Sequence, residues 1–463
     1  MRGIGRRNFI ATTLGAVAAT AVGRVFADDV RRPQLKFGVI SDVHLDLSQV
    51  RTESYRRALE GFRDAGVDAV LACGDIAHTG RPQELKLART VWDEVFAGRP
   101  EVVRLFHTGN HDCYATGGLS SFASMWESTI GDKYEPVKRV DVKGFTFLLV
   151  DWNSVNSVDD YFRAHADELD RTKPLFYSQH PHPKGTCYDP KVAFWCGDKG
   201  KSSECLAKFP KAIAFSGHSH YPVTDPHSIW QGAFTSVNCG STWCSSRDYV
   251  PYDEKANGPA YAYDRRPELM PRLPVQNEAA PGLIVSVSGE EVRIERRDFL
   301  RDLPLGEDWV FPFAGERPYA PENRSRGHRA PQFAAGAALG VSRVANAFDI
   351  VKIGSGEVLR RETVEQVRLA IPRAVAYGAD RVFGYEVAAF DETDGKELFR
   401  RFLLAKEYHL PPSVPSELPA FYVDAAELPQ DRRVRFDVVA LERFGARSRP
   451  LSWAGRGGAI VVK

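Results

Sequence analysis

Five short blocks of this chain combine carboxylates, imidazoles and one carboxamide in a way that suits metal-assisted hydrolysis. Asp42 and His44 lie in Ser41-Asp42-Val43-His44, and Asp75 in Cys73-Gly74-Asp75-Ile76. Asn110, His111 and Asp112 follow Gly109, His180 stands alone, and His218 and His220 form Gly217-His218-Ser219-His220. Of the 12 histidines, 10 precede residue 228, so the imidazoles are concentrated in one part of the chain. Oxygen and nitrogen donors without thiolate suit Mn, Fe or Zn. Seven or eight donors are too many for one ion. Two ions sharing a bridging carboxylate would use them all, and ions ~3.5–4 Å apart suit in-line displacement at phosphorus. A phosphate ester needs cations on its non-bridging oxygens, an activated water and a proton for the leaving group. Singly, each block reads as ordinary turn chemistry. Together, and in order, they do not.

The elements between the blocks say how they could meet. Leu35 to Ile40 reads as a buried strand, and Thr52 can cap a helix through Tyr55, Leu59 and Phe62 that stops at Gly66. Val67 to Cys73 is the next strand, Pro82 opens a second helix, and Val102 to Phe106 is a third strand. Phe145 to Val150, Pro174 to Tyr177 and Ala212 to Phe215 continue the pattern. Strands alternating with helices predict an α/β domain. Each block then follows a strand, at the sheet edge where open α/β sheets bind ligands. Glycine beside three of the clusters permits sharp turns and close backbone approach.

The order and residue types of the five blocks resemble the metallophosphoesterase (calcineurin-like phosphoesterase) superfamily, over about residues 35 to 300. The resemblance implies a four-layer α/β/β/α sandwich holding two Mn, Fe or Zn ions. It implies one ion on Asp42, His44 and His220, the other on Asn110, His180 and His218, and Asp75 bridging. By the same resemblance His111 is a non-ligand that protonates the leaving oxygen, Asp112 orients it, and a metal-bound hydroxide attacks. His44, and Ile76 in place of a tyrosine after Gly-Asp, separate the chain from the purple acid phosphatases. His78 and His182 are near the site but outside the motif, and read as supporting or structural groups. Gly-Asn-His-Asp also occurs in cyclic-nucleotide phosphodiesterase and nuclease branches, which tilts the expectation slightly from monoesters to diesters.

The long rim loops carry Tyr114, Trp152, Tyr188, Trp195, Trp230, Trp243 and Tyr249, enough to wall a base, sugar or lipid. Most are expected to pack the loops onto the domain. Cys187, Cys196, Cys205, Cys239 and Cys244 lie in the same region, where an exported protein could bridge some of them. Their spacings match no zinc site, and Cys73 reads as a packed thiol.

The ends of the chain carry separate signals. Arg6-Arg7-Asn8-Phe9-Ile10, a short apolar run and Val25-Phe26-Ala27 resemble a twin-arginine export signal over residues 1–27. The run is too short and too polar to span a bilayer. A periplasmic or extracellular, soluble protein is therefore expected. After the catalytic domain at 28–302, residues 303–344 read as a Pro/Gly/Arg-rich linker or strap. Residues 345–463 read as a small β-sandwich resembling a fibronectin type III domain, from alternation at Tyr385, Val387 and Ala389 and at Val434, Phe436, Val438 and Ala440, with Asp394-Gly395 a hairpin turn. That domain admits a surface or carbohydrate contact.

The 463 residues carry 61 Lys and Arg against 60 Asp and Glu, a balance that excludes a general electrostatic grip on nucleic acid or anionic membrane. The partner expected is a small-molecule phosphate ester. The rival reading is an adhesion protein with a vestigial phosphoesterase domain, which the intact donor set opposes.

Overall fold

The computed structural model describes residues 33–115, 119–187, 198–244, 252–253, 258–259, 277–351, 358–376, 381–411, 413 and 418–460. The export signal expected over residues 1–27 lies outside them.

Strand β1 (Leu35–Ile40) pairs in parallel with β2 (Ala69–Cys73), and β2 with β3 (Val103–His107). Both faces of these strands are buried, so they carry nearly continuous apolar runs. Phe37, Val39, Leu71 and Cys73 point into a core between two sheets, while Ile40, Val70 and Ala72 face helices. Those helices are α1 (Gln49–Asp64) and α2 (Pro82–Val95). Pro82 opens α2 as expected. The cap of α1 is Ser48 rather than Thr52, whose hydroxyl donates back to the Ser48 carbonyl (2.8 Å). Beyond β1 the sheet is completed by an antiparallel hairpin, Pro281–Ser288 and Glu291–Asp298.

The second sheet contains β4 (Val137–Val142), β5 (Phe145–Val150), β6 (Leu175–Ser178), β7 (Ile213–Ser216), β8 (Ile229–Gln231) and β9 (Thr235–Asn238), in the order β4-β5-β6-β7-β9-β8. Phe37 joins the sheets, its ring 5.0–5.7 Å from those of Phe147, Phe176 and Phe215. The outer face of this sheet packs Leu148, Val150 and Tyr177 against Phe162 and Leu206, from helices Val158–His165 and Lys201–Leu206. The result is a four-layer α/β/β/α sandwich.

The 303–344 segment departs from a linker. Trp309–Pro312 pairs with Glu291–Asp298 as an edge of the first sheet, burying Trp309 and Phe311 in the inter-sheet core. Beyond it lies an all-β region. Gly340–Val351, Val358–Ala370 and Ala420–Asp424 form one sheet. Glu397–Leu404, Gly384–Asp391, Arg433–Leu441 and Leu451–Arg456 form the other, in that spatial order. The two share a core that includes Val367, Leu369, Val387, Phe421 and Phe436. Asp394-Gly395 makes the expected turn, with Gly395 at φ +73°.

A buried ion pair ties the two parts together. Asp225, with no solvent exposure, accepts from Arg443 Nε (2.6 Å) and from the Tyr408 hydroxyl (3.0 Å). Burial alone would raise its pKa, but Arg443 and His227 hold it below the usual carboxylate range. A depressed folded-state pKa contributes stability above the unfolded value of about 4 that is lost as pH falls. Asp225→Asn removes the buried charge that faces Arg443 Nε, so unfolding free energy should drop by about 3–5 kcal/mol. Its acid limb should also flatten below about pH 4. Urea titrations at pH 7 check the first and a series from pH 4 down to pH 2 the second, and equal midpoints for wild type and variant at pH 7 would refute the pair's role.

Candidate metal centre

The backbone at the strand ends is unusual. Only nine described non-glycine residues have positive φ, and five are predicted ligands: Asp42 (51°), His44 (51°), Asp75 (51°), His218 (66°) and His220 (53°). The left-handed region costs an L-residue roughly 1–2 kcal/mol. Its concentration at one rim marks a place where side-chain direction outranks local comfort. The turns are laced together: Asp42 N donates to Gly74 O (3.1 Å), His44 N to Asp75 O (2.9 Å) and Gly217 N to His180 O (2.9 Å). Gly109 and Gly217 permit this closeness. A Cβ on Gly109 would fall on the Asp75 carboxylate, and one on Gly217 on Ser41 Oγ and Asp42 Oδ2.

The predicted donors converge as two groups, Asp42 with His44 and His220, and Asp75 with His180 and His218. Asp42 Oδ2 is occupied, accepting from Ser41 Oγ (2.6 Å) and His218 N (2.9 Å). Its Oδ1 faces His220 Nε2 at 3.0 Å, and His44 and His180 Nε2 at 3.8 Å. Asp75 repeats the pattern. Oδ1 accepts from His111 N (2.8 Å), while Oδ2 lies 3.5 Å from His44 Nε2 and 3.2 Å from His180 Nε2, between the two histidine sets. His180 Nδ1 donates to Cys73 O (2.7 Å), which leaves Nε2 as the nitrogen turned toward Asp42 and Asp75. The Asn110 amide donates to the Tyr114 hydroxyl (2.8 Å).

These residues fit cations. Asp42 Oδ1, Asn110 Oδ1 and His180 Nε2 are buried with no aligned hydrogen-bond partner, and the Nε2 atoms of His44 and His220 stand 3.2 Å apart. Buried polar atoms normally find partners, and two imidazole nitrogens aimed at each other gain from a positive charge between them. The protein balances its acids with protons. Against burial, His180 and His44 hold Asp75 at about 2, while Asp75 and Asp42 raise His180 to about 9.

His111 and Asp112 are linked through backbone groups rather than side chain to side chain. The carboxylate of Asp112 accepts from Ala77 N (2.7 Å) and Gly109 N (2.8 Å), joining the Gly-Asp turn to the Gly-Asn turn. It does not touch the His111 ring. That ring donates from Nδ1 to His78 O (2.6 Å), because a carbonyl can only accept. Asp112 therefore orients His111 through the backbone, and burial followed by the nearby Asp75 raises its own pKa to about 7.

The supporting groups fall into place around these. His182 is fully buried with both ring nitrogens on the Ser216 and Ser219 hydroxyls (2.7 Å each), a structural role. His78 Nδ1 lies 3.3 Å from His44 Nδ1, and Cys244 Sγ 3.3 Å from His220 Nδ1. Trp152 stands beside His218 (5.3 Å between ring centres) and Trp243 beside His44 (4.7 Å), walling the rim on two sides. The guanidinium of Arg51 stacks on Trp243 at 4.2 Å, a contact with no motif to announce it. Trp230 packs on Phe234 instead, and Tyr188, Trp195 and Tyr249 lie outside the described residues. Cys187, Cys205, Cys239 and Cys244 are free thiols, so no disulfide joins them, while Cys196 lies outside the described residues.

Residues 35–222 match the family model of the calcineurin-like phosphoesterases. This part of the chain is a calcineurin-like metallophosphoesterase domain, and its class is that of a metal-dependent phosphoester hydrolase. No curated protein matches the sequence. Among solved structures, a dimetal phosphatase from Danio rerio is similar at 12% identity and TM-score 0.40, covering 61% of this chain and all of that one. A purple acid phosphatase from yellow lupin seeds is similar at 11% identity and TM-score 0.38, over 62% of this chain and 56% of that one. Vacuolar protein sorting 29 from Cryptosporidium parvum matches at 11% identity and TM-score 0.28, over 60% of this chain and 95% of that one.

Proposed function

We propose that the chain is an exported phosphoesterase with a dinuclear Mn, Fe or Zn centre, slightly favouring diesters over monoesters. The position of Asp75 Oδ2 between two histidine sets carries this reading. One ion would be held by Asp42, His44 and His220, the other by Asn110, His180 and His218, and both by Asp75. When bound, the ions would neutralise charge on the ester oxygens and lower the pKa of water toward neutrality. The chain supplies the rest. Asp42 and Asp75 each keep one oxygen on a backbone amide, which fixes the direction of the other. His111, held by His78 O at Nδ1, has Nε2 left to hand a proton to the departing oxygen. The diester preference rests on Gly-Asn-His-Asp. The export reading rests on Arg6, Arg7 and the apolar run behind them. No helix among the described residues is long and apolar enough to cross a membrane.

The seven strands among the described residues beyond 339 support a fibronectin type III-like sandwich. The first, second and fifth form one sheet, and the fourth, third, sixth and seventh the other. Elemental analysis of the purified protein should find two transition-metal equivalents per chain. A phosphate-release screen with Mn(II) should show turnover on a nucleotide, cyclic nucleotide, sugar phosphate or phospholipid headgroup. Protein without metal and without turnover would favour the adhesion reading.

A further inference from the structure

Between the catalytic part and the β-sandwich lies a cleft of about 660 Å³, well within the range of small-molecule sites. Four arginines from three directions line it. Arg296 comes from the Glu291–Asp298 strand, Arg324 and Arg326 from the segment around the short helix Pro321–Arg324, and Arg381 from the lead-in to the Gly384–Asp391 strand.

The two inner guanidiniums have no carboxylate partner among the described residues. Arg296 is only 8% exposed. It donates to the carbonyls of Glu307 (3.1 Å from Nε) and Val223 (2.9 Å), and stacks on Trp309 at 4.5 Å. Arg381 donates to the carbonyls of Leu305 (2.6 Å) and Leu410. These bonds leave N–H donors on both, since a guanidinium has five. Burial, then the repulsion of Arg381, brings Arg296 down to about 10. The acids at the cleft do not cancel this charge. Asp308 is paired with Arg293 (2.9 Å), and Glu307 has an exposed side chain.

Burying like charges together is costly unless an anion joins them. Guanidinium forks match the oxygens of a phosphate, and forks converging from different elements suit a tetrahedral or multiply charged one. We infer that this interdomain cleft is a binding site for a small phosphate-bearing anion, separate from the metal centre. The volume exceeds what inorganic phosphate needs, so the natural occupant carries further atoms.

The test is calorimetric titration of full-length, chelator-treated protein with pyrophosphate at low salt. One equivalent should bind. Arg326→Glu and Arg381→Gln should each weaken it by ~10-fold or more, the loss of one charge-assisted contact. His218→Ala, at the metal centre, should leave it unchanged. Arg326 is exposed, so its variant should melt as wild type does and decides the matter even if Arg381→Gln unfolds. Absence of binding to wild type, binding undiminished by Arg326→Glu, or binding abolished by His218→Ala would each overturn the inference.

Discussion

Asp75→Ala should hold neither metal and release phosphate at least ~10⁴-fold more slowly than wild type. Each ion supplies several kcal/mol of charge stabilisation in the transition state, so losing two costs that much or more. The expectation follows from where the two oxygens go. Among the described residues Oδ2 is the one carboxylate atom within 3.5 Å of histidines from both donor groups, and Oδ1 anchors the His111 amide. Removing the carboxylate leaves Asp42 as the only acid among the donors. Alanine also tolerates the left-handed backbone at this position (φ 51°) less well than Asp or Asn. Asp75→Asn is therefore the informative companion. It keeps the shape, the backbone preference and an oxygen for His111, and removes only the charge. If charge sharing is the role of Asp75, Asn should fold as wild type does by circular dichroism and still lose metal. Two full metal equivalents in Asp75→Ala would show that it bridges nothing. One remaining equivalent would place it in a single site.

The site was legible in the sequence because its information is local. Each block spans one to four residues, and Gly74, Gly109 and Gly217 mark where the chain turns tightly enough for side chains to meet. What could not be read was direction. Nothing in the types Asp, His, Asp, His, His announces five left-handed residues, because the strain is offset by contacts between strand ends far apart in the chain. The same limit explains Asp112. Its adjacency to His111 suggests a partnership of side chains, yet after a tight turn the neighbouring side chain points into the backbone of the joined loops.

The fold was legible where burial imposes a period, and less so elsewhere. Leu283, Val285 and Val287, then Val292 and Ile294, do alternate. They lie beyond the last chemical block, and their pairing with Leu35–Ile40 spans about two hundred and fifty residues that periodicity cannot bridge. In the 303–344 segment, proline and glycine conceal Trp309-Val310-Phe311, whose alternate burial makes a strand only because the Glu291–Asp298 edge is there to receive it. Strand character at such a position belongs to the neighbour as much as to the residues themselves.

His111→Ala should separate proton delivery from metal binding, keeping both metals while slowing turnover by ~10²–10⁴, the usual contribution of a positioned general acid. Its ring hangs from His78 O by Nδ1, and its amide from Asp75 Oδ1. Replacing the side chain leaves the amide contact and all seven predicted donors intact. His218→Ala, by contrast, removes a donor from the group it forms with Asp75 and His180, and should lower metal content. The size of the His111 effect should depend on the leaving group. An alkoxide departs poorly without a proton, so alkyl esters should lose most, whereas a nitrophenolate is stable enough to leave unaided and should lose least. Rates on both ester types, read beside metal content, give the answer. Equal slowing of the two, or metal loss matching His218→Ala, would move proton delivery elsewhere. His182 could not take it up, since both its nitrogens are committed to buried serine hydroxyls. His78, half-buried and 3.3 Å from His44, would be the imidazole left to test.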